Sequence, residues 1–255
     1  MSISLGIFVV VFGLALLSMP VYAWRGRRPD ADATRKGTRF VLGLGDFLVH
    51  WLMWFLGPAE RIVLRLGWSP DVFNFAGLGF GLLSGVLIGL GHLEAGGWAI
   101  ALGGVCDIFD GRVARARGLA GPYGQFIDST LDRFVEVFAL LGFVVYLGPH
   151  PYGPLAAAAA LGGSLLVSYT RARGESVGVL CREGLMQRAE RLVLMFLVCL
   201  VDGWISARLG KPPGQAAVWV LALIATGTFL TAAQRTVWIA QRLKSAEPTQ
   251  ERKQT

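Results

Sequence analysis

Charged residues are scarce in this chain of 255 residues. They account for 16% of the sequence, whereas an ordinary soluble domain contains about a quarter. Hydrophobic residues account for 54%, and the mean hydropathy is +0.54. This balance excludes an ordinary soluble domain and predicts an integral membrane protein.

Cysteine is also rare, and the common nucleotide-binding loops are missing. The three cysteines, Cys106, Cys181 and Cys199, are odd in number and lie in or beside apolar segments, which excludes a disulfide framework. Neither a P-loop nor a Gly-x-Gly-x-x-Gly turn after a strand occurs in the sequence. The usual kinase and dinucleotide-binding folds are therefore disfavoured.

Seven apolar segments are long enough to cross a membrane as helices. They are 3–23, 72–92, 96–114, 125–147, 153–170, 192–207 and 216–238. Basic residues follow the first segment, whereas they precede the apolar run of a signal peptide, so we predict a retained span. The predicted fold is all-α, with a six-transmembrane-helix core and one extra N-terminal transmembrane helix.

Segment 41–66 is predicted to lie along the membrane surface as an amphipathic helix with a break near Pro58. With this segment at the surface, 22 of the 24 lysines and arginines lie on the inner side of the membrane, in line with the positive-inside rule. If the segment crossed the membrane, only 8 would lie inside. The net charge of +7 is therefore explained by the orientation of the protein in the membrane. We expect no nucleic-acid partner.

These segments divide the chain into four predicted parts. Residues 1–40 form the N-terminal span and a basic cytoplasmic linker, 41–66 the interfacial helix, 67–243 the six-helix domain and 244–255 a polar cytoplasmic tail. We expect a protein of a bacterial-type inner (plasma) membrane, with its functional site facing the cytoplasm.

Four aspartates lie where two of the predicted spans meet the inner interface. Asp107 and Asp110 are three residues apart at the end of one helix, so they share a face. Asp128 and Asp132 are four residues apart near the start of the next helix and also share a face. Because the turn at 118–122 is short, the two helices are antiparallel neighbours and the four carboxylates can converge.

These carboxylates need positive partners. An ionised carboxylate at membrane depth costs about 2.5–3.5 kcal/mol, and four together repel one another. Two divalent cations would neutralise them, and carboxylate oxygens suit Mg²⁺, Mn²⁺ or Ca²⁺. Gly111, Ala114 and Gly124 leave room for a flat ligand, while Arg115 suits phosphate. The segment therefore predicts a metal-assisted site for a nucleotide diphosphate.

The spacing of these residues resembles a known signature, Asp-x2-Asp-Gly-x2-Ala-Arg-x8-Gly-x3-Asp-x3-Asp. It is met without a gap by Asp107, Asp110, Gly111, Ala114, Arg115, Gly124, Asp128 and Asp132. The pattern is similar to that of the CDP-alcohol phosphotransferases, and the resemblance extends over about 67–240. It implies a homodimeric membrane enzyme that uses two divalent cations, usually Mg²⁺, and displaces CMP from a CDP-linked alcohol by an acceptor hydroxyl.

The resemblance also implies roles for individual residues. Asp107, Asp110 and Asp128 are metal ligands, and Asp132 is the general base as well as a metal-site residue. The implied residues of the cytidine diphosphate site are Gly111, Ala114, Arg115 and Gly124, with Asp71 and Asn74 from a looser helix-opening match.

Arginines around the loop after the fifth span point to the acceptor. Arg171 and Arg173 end that span, and Arg188 and Arg191 are three residues apart at the start of the next. Such a cluster can bind phosphate bidentately, and the positive-inside rule is the alternative explanation for any single arginine. The loop resembles the phosphatidylinositol phosphate synthase branch, which implies CDP-diacylglycerol as donor and inositol phosphate as acceptor.

Three alternatives remain from the sequence. Glycerol 3-phosphate is a second anionic acceptor, and another CDP-alcohol reaction would keep the same signature. A divalent-cation transporter would also use paired aspartates, but its ion sites are expected near the midplane of the membrane. The aspartates here cluster toward one face, which favours the enzyme.

Overall fold

The computed structural model describes residues 3–24, 45–181 and 184–251, and the regular structure within these ranges is helical. The helices are α1 (Ile3–Trp24), α2 (Gly45–Leu66), α3 (Pro70–Gly89), α4 (Leu93–Ala116), α5 (Pro122–Tyr146), α6 (Gly153–Ser176), α7 (Arg188–Arg208) and α8 (Gln215–Glu251). Each apolar segment predicted to span the membrane coincides with one of them. The predicted linker after Trp24, the first residues of the interfacial segment and the end of the tail lie outside the described residues.

Three of these helices have the length and composition of membrane spans. They are Pro70–Gly89, Gly153–Ser176 and the part Gln215–Ser245 of α8, with mean hydropathies of 1.8, 1.2 and 1.9. The helices α4, α5 and α7, of 24, 25 and 21 residues, carry most of the charged side chains predicted to form the site, and Asp71, Arg171 and Arg173 lie on α3 and α6. The described part of this membrane protein is thus all-helical, and the number of seven spans stays a prediction.

The described residues form two compact units. The first unit comprises residues up to Asn74 together with Cys106–Phe126. In it, α1 packs against α2, where the Trp51 indole N–H donates to the Ser18 hydroxyl at 2.8 Å. The Tyr22 ring lies 5.7 Å from Phe47 and 5.6 Å from Trp54, between ring centroids.

The predicted break near Pro58 is wrong, because α2 runs continuously from Gly45 to Leu66 with Pro58 inside it. A proline removes only one helical hydrogen bond, the one that would reach the Trp54 carbonyl. The amphipathic pattern on both sides of Pro58 is helical, so the remaining bonds and the packing on α1 maintain the helix.

The second unit comprises Phe75–Val105 and the residues from Ile127 onward. Here α6 and α7 both pack along α8, around a core in which Leu140, Phe143 and Leu221 are fully buried. Glycines allow close backbone contact: a Cβ added at Gly85 would lie 2.3 Å from the Phe138 carbonyl oxygen. Small residues are a usual means of bringing membrane helices together.

A buried carboxylate joins α7 to α8. Asp202, 1% exposed, accepts hydrogen bonds from the backbone N–H groups of Gly214 at 2.6 Å and Ala217 at 2.9 Å. The Ser206 hydroxyl donates to the same side chain at 3.4 Å. Asp202 therefore satisfies the free N–H groups at the start of α8 and fixes the α7–α8 turn.

Candidate active site

Three of the four predicted metal-site aspartates lie together. One carboxylate oxygen from each of Asp107, Asp110 and Asp128 lies within 4.8 Å of the others. Asp110 is 5% exposed, and the other two are half-buried. A cation with ligand distances of about 2.0–2.6 Å can bridge oxygens at such separations, and an all-carboxylate donor set fits Mg²⁺ or Mn²⁺.

A tight turn brings α5 back beside the end of α4. The N–H of Leu119 donates to the Ala114 carbonyl at 2.8 Å, and that of Gly118 to Arg115 at 3.1 Å. These two bonds form a Schellman motif, which requires the positive φ of 67° at Gly118. Pro122 then opens α5, where its missing N–H costs no hydrogen bond.

The predicted nucleotide residues all lie in the first unit. The Arg115 guanidinium lies against Gly111: a Cβ added at position 111 would be 3.1 Å from Arg115 Nη1. The space over Gly124 is open, since a Cβ there would meet no atom within 4 Å. Asp71 lies in the first turn of α3, and Asn74 follows one turn later, 8% exposed. Ala114 is half-buried, and the binding of a nucleotide by this set of residues stays a prediction.

The interfacial helix is tied to the end of α4. Arg112 Nη2 lies 2.6 Å from Glu60 Oε2, an ion pair that was not predicted from the sequence. Arg117 donates to the carbonyls of Gly67 at 3.0 Å and Leu64 at 3.4 Å. These contacts satisfy carbonyls at the end of α2 and attach this helix to the helix that carries Asp107 and Asp110.

In the second unit, α5 and α7 are joined by two ion pairs. Arg188 Nη2 lies 2.7 Å from Asp132 Oδ1, and the two side chains are 23% and 17% exposed. One turn further along α5, Glu136 forms a bidentate pair with Arg191, with Oε1–Nε at 2.5 Å and Oε2–Nη2 at 3.0 Å. The first pair is accessible from outside, whereas the second is buried.

The predicted acceptor arginines occupy different environments. Arg171 and Arg173 are exposed at the end of α6, where Arg171 Nε donates to Glu175 at 3.0 Å. Arg188 is partly exposed beside Asp132. Arg191 is 1% exposed, with its guanidinium held by Glu136 and by the Met186 carbonyl. The binding of phosphate by this set stays a prediction.

Sequence reasoning missed two buried charges near these arginines, Glu136 and Arg235. Arg235, 4% exposed on α8, donates to the Val167 carbonyl at 2.9 Å, and its charge interacts with those of Arg171 and Arg191. A signal for both was present, because an ionised residue inside an apolar span marks a functional or paired position. Their partners could not be named without the packing of α5 to α8.

The chain is similar to proteins of a known family. Residues 68–225 match the model of the CDP-alcohol phosphatidyltransferase family. The phosphatidylinositol phosphate synthase of Streptomyces avermitilis is 35% identical over 75% of this chain and 80% of its own length. The archaetidylinositol phosphate synthase of Methanothermobacter thermautotrophicus is 34% identical over 74% of this chain and 91% of its own.

Solved structures show the same similarity. The crystal structure of Mycobacterium tuberculosis phosphatidylinositol phosphate synthase with CDP-DAG bound matches with a TM-score of 0.63 and 27% identity, covering 71% of this chain and 92% of that one. A structure of the same protein with manganese and citrate also gives a TM-score of 0.63, at 27% identity, over 71% and 87%.

Proposed function

Because this chain belongs to the CDP-alcohol phosphatidyltransferase family, we propose that it transfers a phosphatidyl group from CDP-diacylglycerol to inositol phosphate, releasing CMP. The convergence of the Asp107, Asp110 and Asp128 carboxylates carries this proposal, because it gives the family signature a usable site. The family also favours an enzyme over the cation transporter considered from the sequence. The inositol phosphate acceptor is supported by the names of the relatives and by the arginines near Asp132.

The aspartates are proposed to hold two divalent cations, Mg²⁺ or Mn²⁺. Asp107, Asp110 and Asp128 would be ligands, with Asp132 as a further residue of the metal site. Such ions would neutralise the diphosphate and the charge of the departing CMP. A manganese-containing relative supports this assignment.

Asp132 is proposed to act as the general base. The acceptor hydroxyl oxygen would form a bond to the phosphorus that carries the diacylglycerol, while the bond from that phosphorus to the CMP oxygen breaks. The hydroxyl proton would pass to the Asp132 carboxylate, which is 17% exposed and therefore accessible to substrate. The remaining contribution of the protein is to position the two substrates.

The substrates are proposed to bind through two sets of residues. The nucleotide set is Asp71, Asn74, Gly111, Ala114, Arg115 and Gly124, and the acceptor-phosphate set is Arg171, Arg173, Arg188 and Arg191. Arg115 and Arg188 are suited to phosphate oxygens because a guanidinium presents paired donors. Arg191 is the buried member of its set, and because its guanidinium is bonded to Glu136 and Met186 it would serve the acceptor through its neighbours.

The membrane arrangement proposed from the sequence completes this function. We retain six core spans within 67–243, the extra span at the N-terminus in 1–40, the interfacial helix at 41–66 and the tail at 244–255. The proposed location is a bacterial-type inner membrane, with the site facing the cytoplasm and the enzyme working as a homodimer. A site at the inner interface suits a donor with a water-soluble nucleotide head and lipid tails.

The test is CMP release by the purified protein in lipid vesicles with CDP-diacylglycerol and Mg²⁺. Inositol phosphate, glycerol 3-phosphate, free inositol, serine and no acceptor are compared. Release with inositol phosphate alone is expected. Release only with another acceptor would retain the family reaction and overturn the acceptor, and no release by folded protein with any acceptor would overturn the proposed donor or reaction.

A further inference from the structure

The buried ion pair between Glu136 and Arg191 uses both carboxylate oxygens. Glu136 Oε1 accepts from Arg191 Nε at 2.5 Å, and Oε2 accepts from Nη2 at 3.0 Å. The two residues are 2% and 1% exposed. A bidentate contact of this kind fixes the plane of the guanidinium as well as its position.

The same guanidinium holds the backbone that precedes α7. Arg191 Nη1 donates to the Met186 carbonyl at 3.2 Å, and the Met186 N–H donates to Thr231 Oγ1 on α8 at 3.0 Å. Thr231 is fully buried. Both polar backbone groups of Met186 are therefore bonded to buried side chains, one of which is oriented by Glu136.

Met186 lies only two residues before Arg188, whose Nη2 is 2.7 Å from Asp132 Oδ1. Asp132 lies four residues before Glu136 on α5 and shares its face, and Arg188 and Arg191 share a face of α7 in the same way. The two ion pairs are therefore successive contacts between the same two helices. The buried pair Glu136–Arg191 holds the backbone at Met186, and Arg188 of the accessible pair follows two residues later.

Stability alone is a poor explanation for the buried pair. A buried ion pair rarely stabilises a protein more than well-packed apolar side chains of similar volume. Apolar side chains at 136 and 191 could fill the space, but they could not donate to the Met186 carbonyl. Beyond packing, the pair fixes the position of Met186 and the segment that leads from it to Arg188.

We propose that Glu136 is a positioning residue for the acceptor: through Arg191 and Met186 it sets Arg188 against Asp132. The proposal rests on the proposed function, in which Arg188 binds the acceptor phosphate and Asp132 receives the proton of its hydroxyl. Glu136 itself touches neither substrate. Its removal should therefore weaken acceptor binding and leave donor binding intact.

The test compares Glu136→Gln and Arg191→Lys with the unaltered full chain in lipid vesicles, with CMP release measured against each substrate in turn. Glutamine lacks the charge, and lysine cannot make the bidentate contact or hold Met186 at the same time. The KM for inositol phosphate, or for the acceptor that supports release, is expected to rise at least about tenfold. The KM for CDP-diacylglycerol should stay within about twofold.

Asp202→Asn is the matched control, because Asp202 is an equally buried carboxylate of the second unit at the α7–α8 turn. It should lower the thermal midpoint without changing either KM. If Glu136→Gln raises both KM values equally, or leaves both unchanged in stably folded protein, the positioning role is overturned. If the single variants fail to fold, the double variant Glu136→Leu with Arg191→Leu is used, because it leaves neither charge buried without a partner. It should again raise the KM for the acceptor and leave the KM for CDP-diacylglycerol unchanged.

A second measurement separates this proposal from the proposed function. Hydrogen exchange of the backbone N–H of Met186 should be faster in Glu136→Gln than in the unaltered chain, and unchanged in Asp202→Asn. This readout needs no activity, so it tests the positioning contact even if no acceptor supports CMP release. Unchanged exchange at Met186 in Glu136→Gln would overturn the proposal.

Discussion

Asp132 and Glu136 lie one helical turn apart on α5, and each forms an ion pair with an arginine of α7. The Asp132 side chain is 17% exposed, whereas Glu136 is almost completely buried. The two carboxylates share a helix face but differ in exposure. Asp132 can contact a substrate, whereas Glu136 can contact only other residues of the protein. The difference arises because both oxygens of Glu136 are held by the buried Arg191 of α7, whereas Asp132 is paired with the partly exposed Arg188.

We expect Asp132→Asn to lower kcat for CMP release at least about 100-fold, because an amide cannot accept the hydroxyl proton. Binding of CDP-diacylglycerol and the thermal midpoint should change little, since asparagine has nearly the same shape. Steady-state CMP release and a donor-binding titration measure the two effects. Glu94→Gln, a half-buried carboxylate of the same unit in the first turn of α4, serves as the control, and near-normal turnover of Asp132→Asn would exclude this base.

Chelation of divalent cations should abolish CMP release, and added Mg²⁺ or Mn²⁺ should restore it. Asp110→Asn should lower the affinity for Mn²⁺ at least about tenfold, because it removes a buried anionic oxygen from the carboxylate cluster. Paramagnetic resonance of free and bound Mn²⁺ measures this affinity without relying on turnover. Glu175→Gln should bind Mn²⁺ normally, and normal binding by Asp110→Asn as well would remove this residue from the metal site.

Asp202→Ala should destabilise the second unit by about 1–3 kcal/mol, because it leaves the N–H groups of Gly214 and Ala217 buried without an acceptor. Thermal unfolding in detergent detects the change. Thr226→Ala removes an exposed hydroxyl bonded within its own helix and should shift stability by no more than about 0.5 kcal/mol. Equal shifts for both variants would mean that the Asp202 contacts contribute no special stability.

Gly85→Ala should destabilise the protein by about 1–3 kcal/mol, because the added methyl group would collide with the backbone of Phe138 and separate α3 from α5. Gly79→Ala on the same helix meets no atom within 4 Å, so the higher helix propensity of alanine should leave stability equal or slightly raised. Thermal midpoints of the two variants provide the comparison. A stable Gly85→Ala protein would show that the two helices can separate at no cost.

The family reaction and the helices could be predicted from the sequence because both depend on local spacing. An apolar run of about 20 residues fixes a helix wherever it packs. Asp107 and Asp110 share a face through helical periodicity alone, and the short turn at Gly118 returns the chain to Asp128. The break predicted at Pro58 failed because tertiary contacts hold α2 on both sides of the proline, through Trp51 with Ser18 of α1 and through Glu60 with Arg112 of α4.

The positions of the helices and the convergence of the aspartates follow from the sequence, since those relations reach no further than neighbouring turns and one short loop. The pairing of Arg191 with Glu136, 55 residues away, and the capping of α8 by Asp202 depend instead on how the helices pack. Many arginines and acids of this chain could pair according to sequence. The choice among them is made by the packing of α5, α7 and α8, which buries certain charges and requires each buried charge to meet a partner.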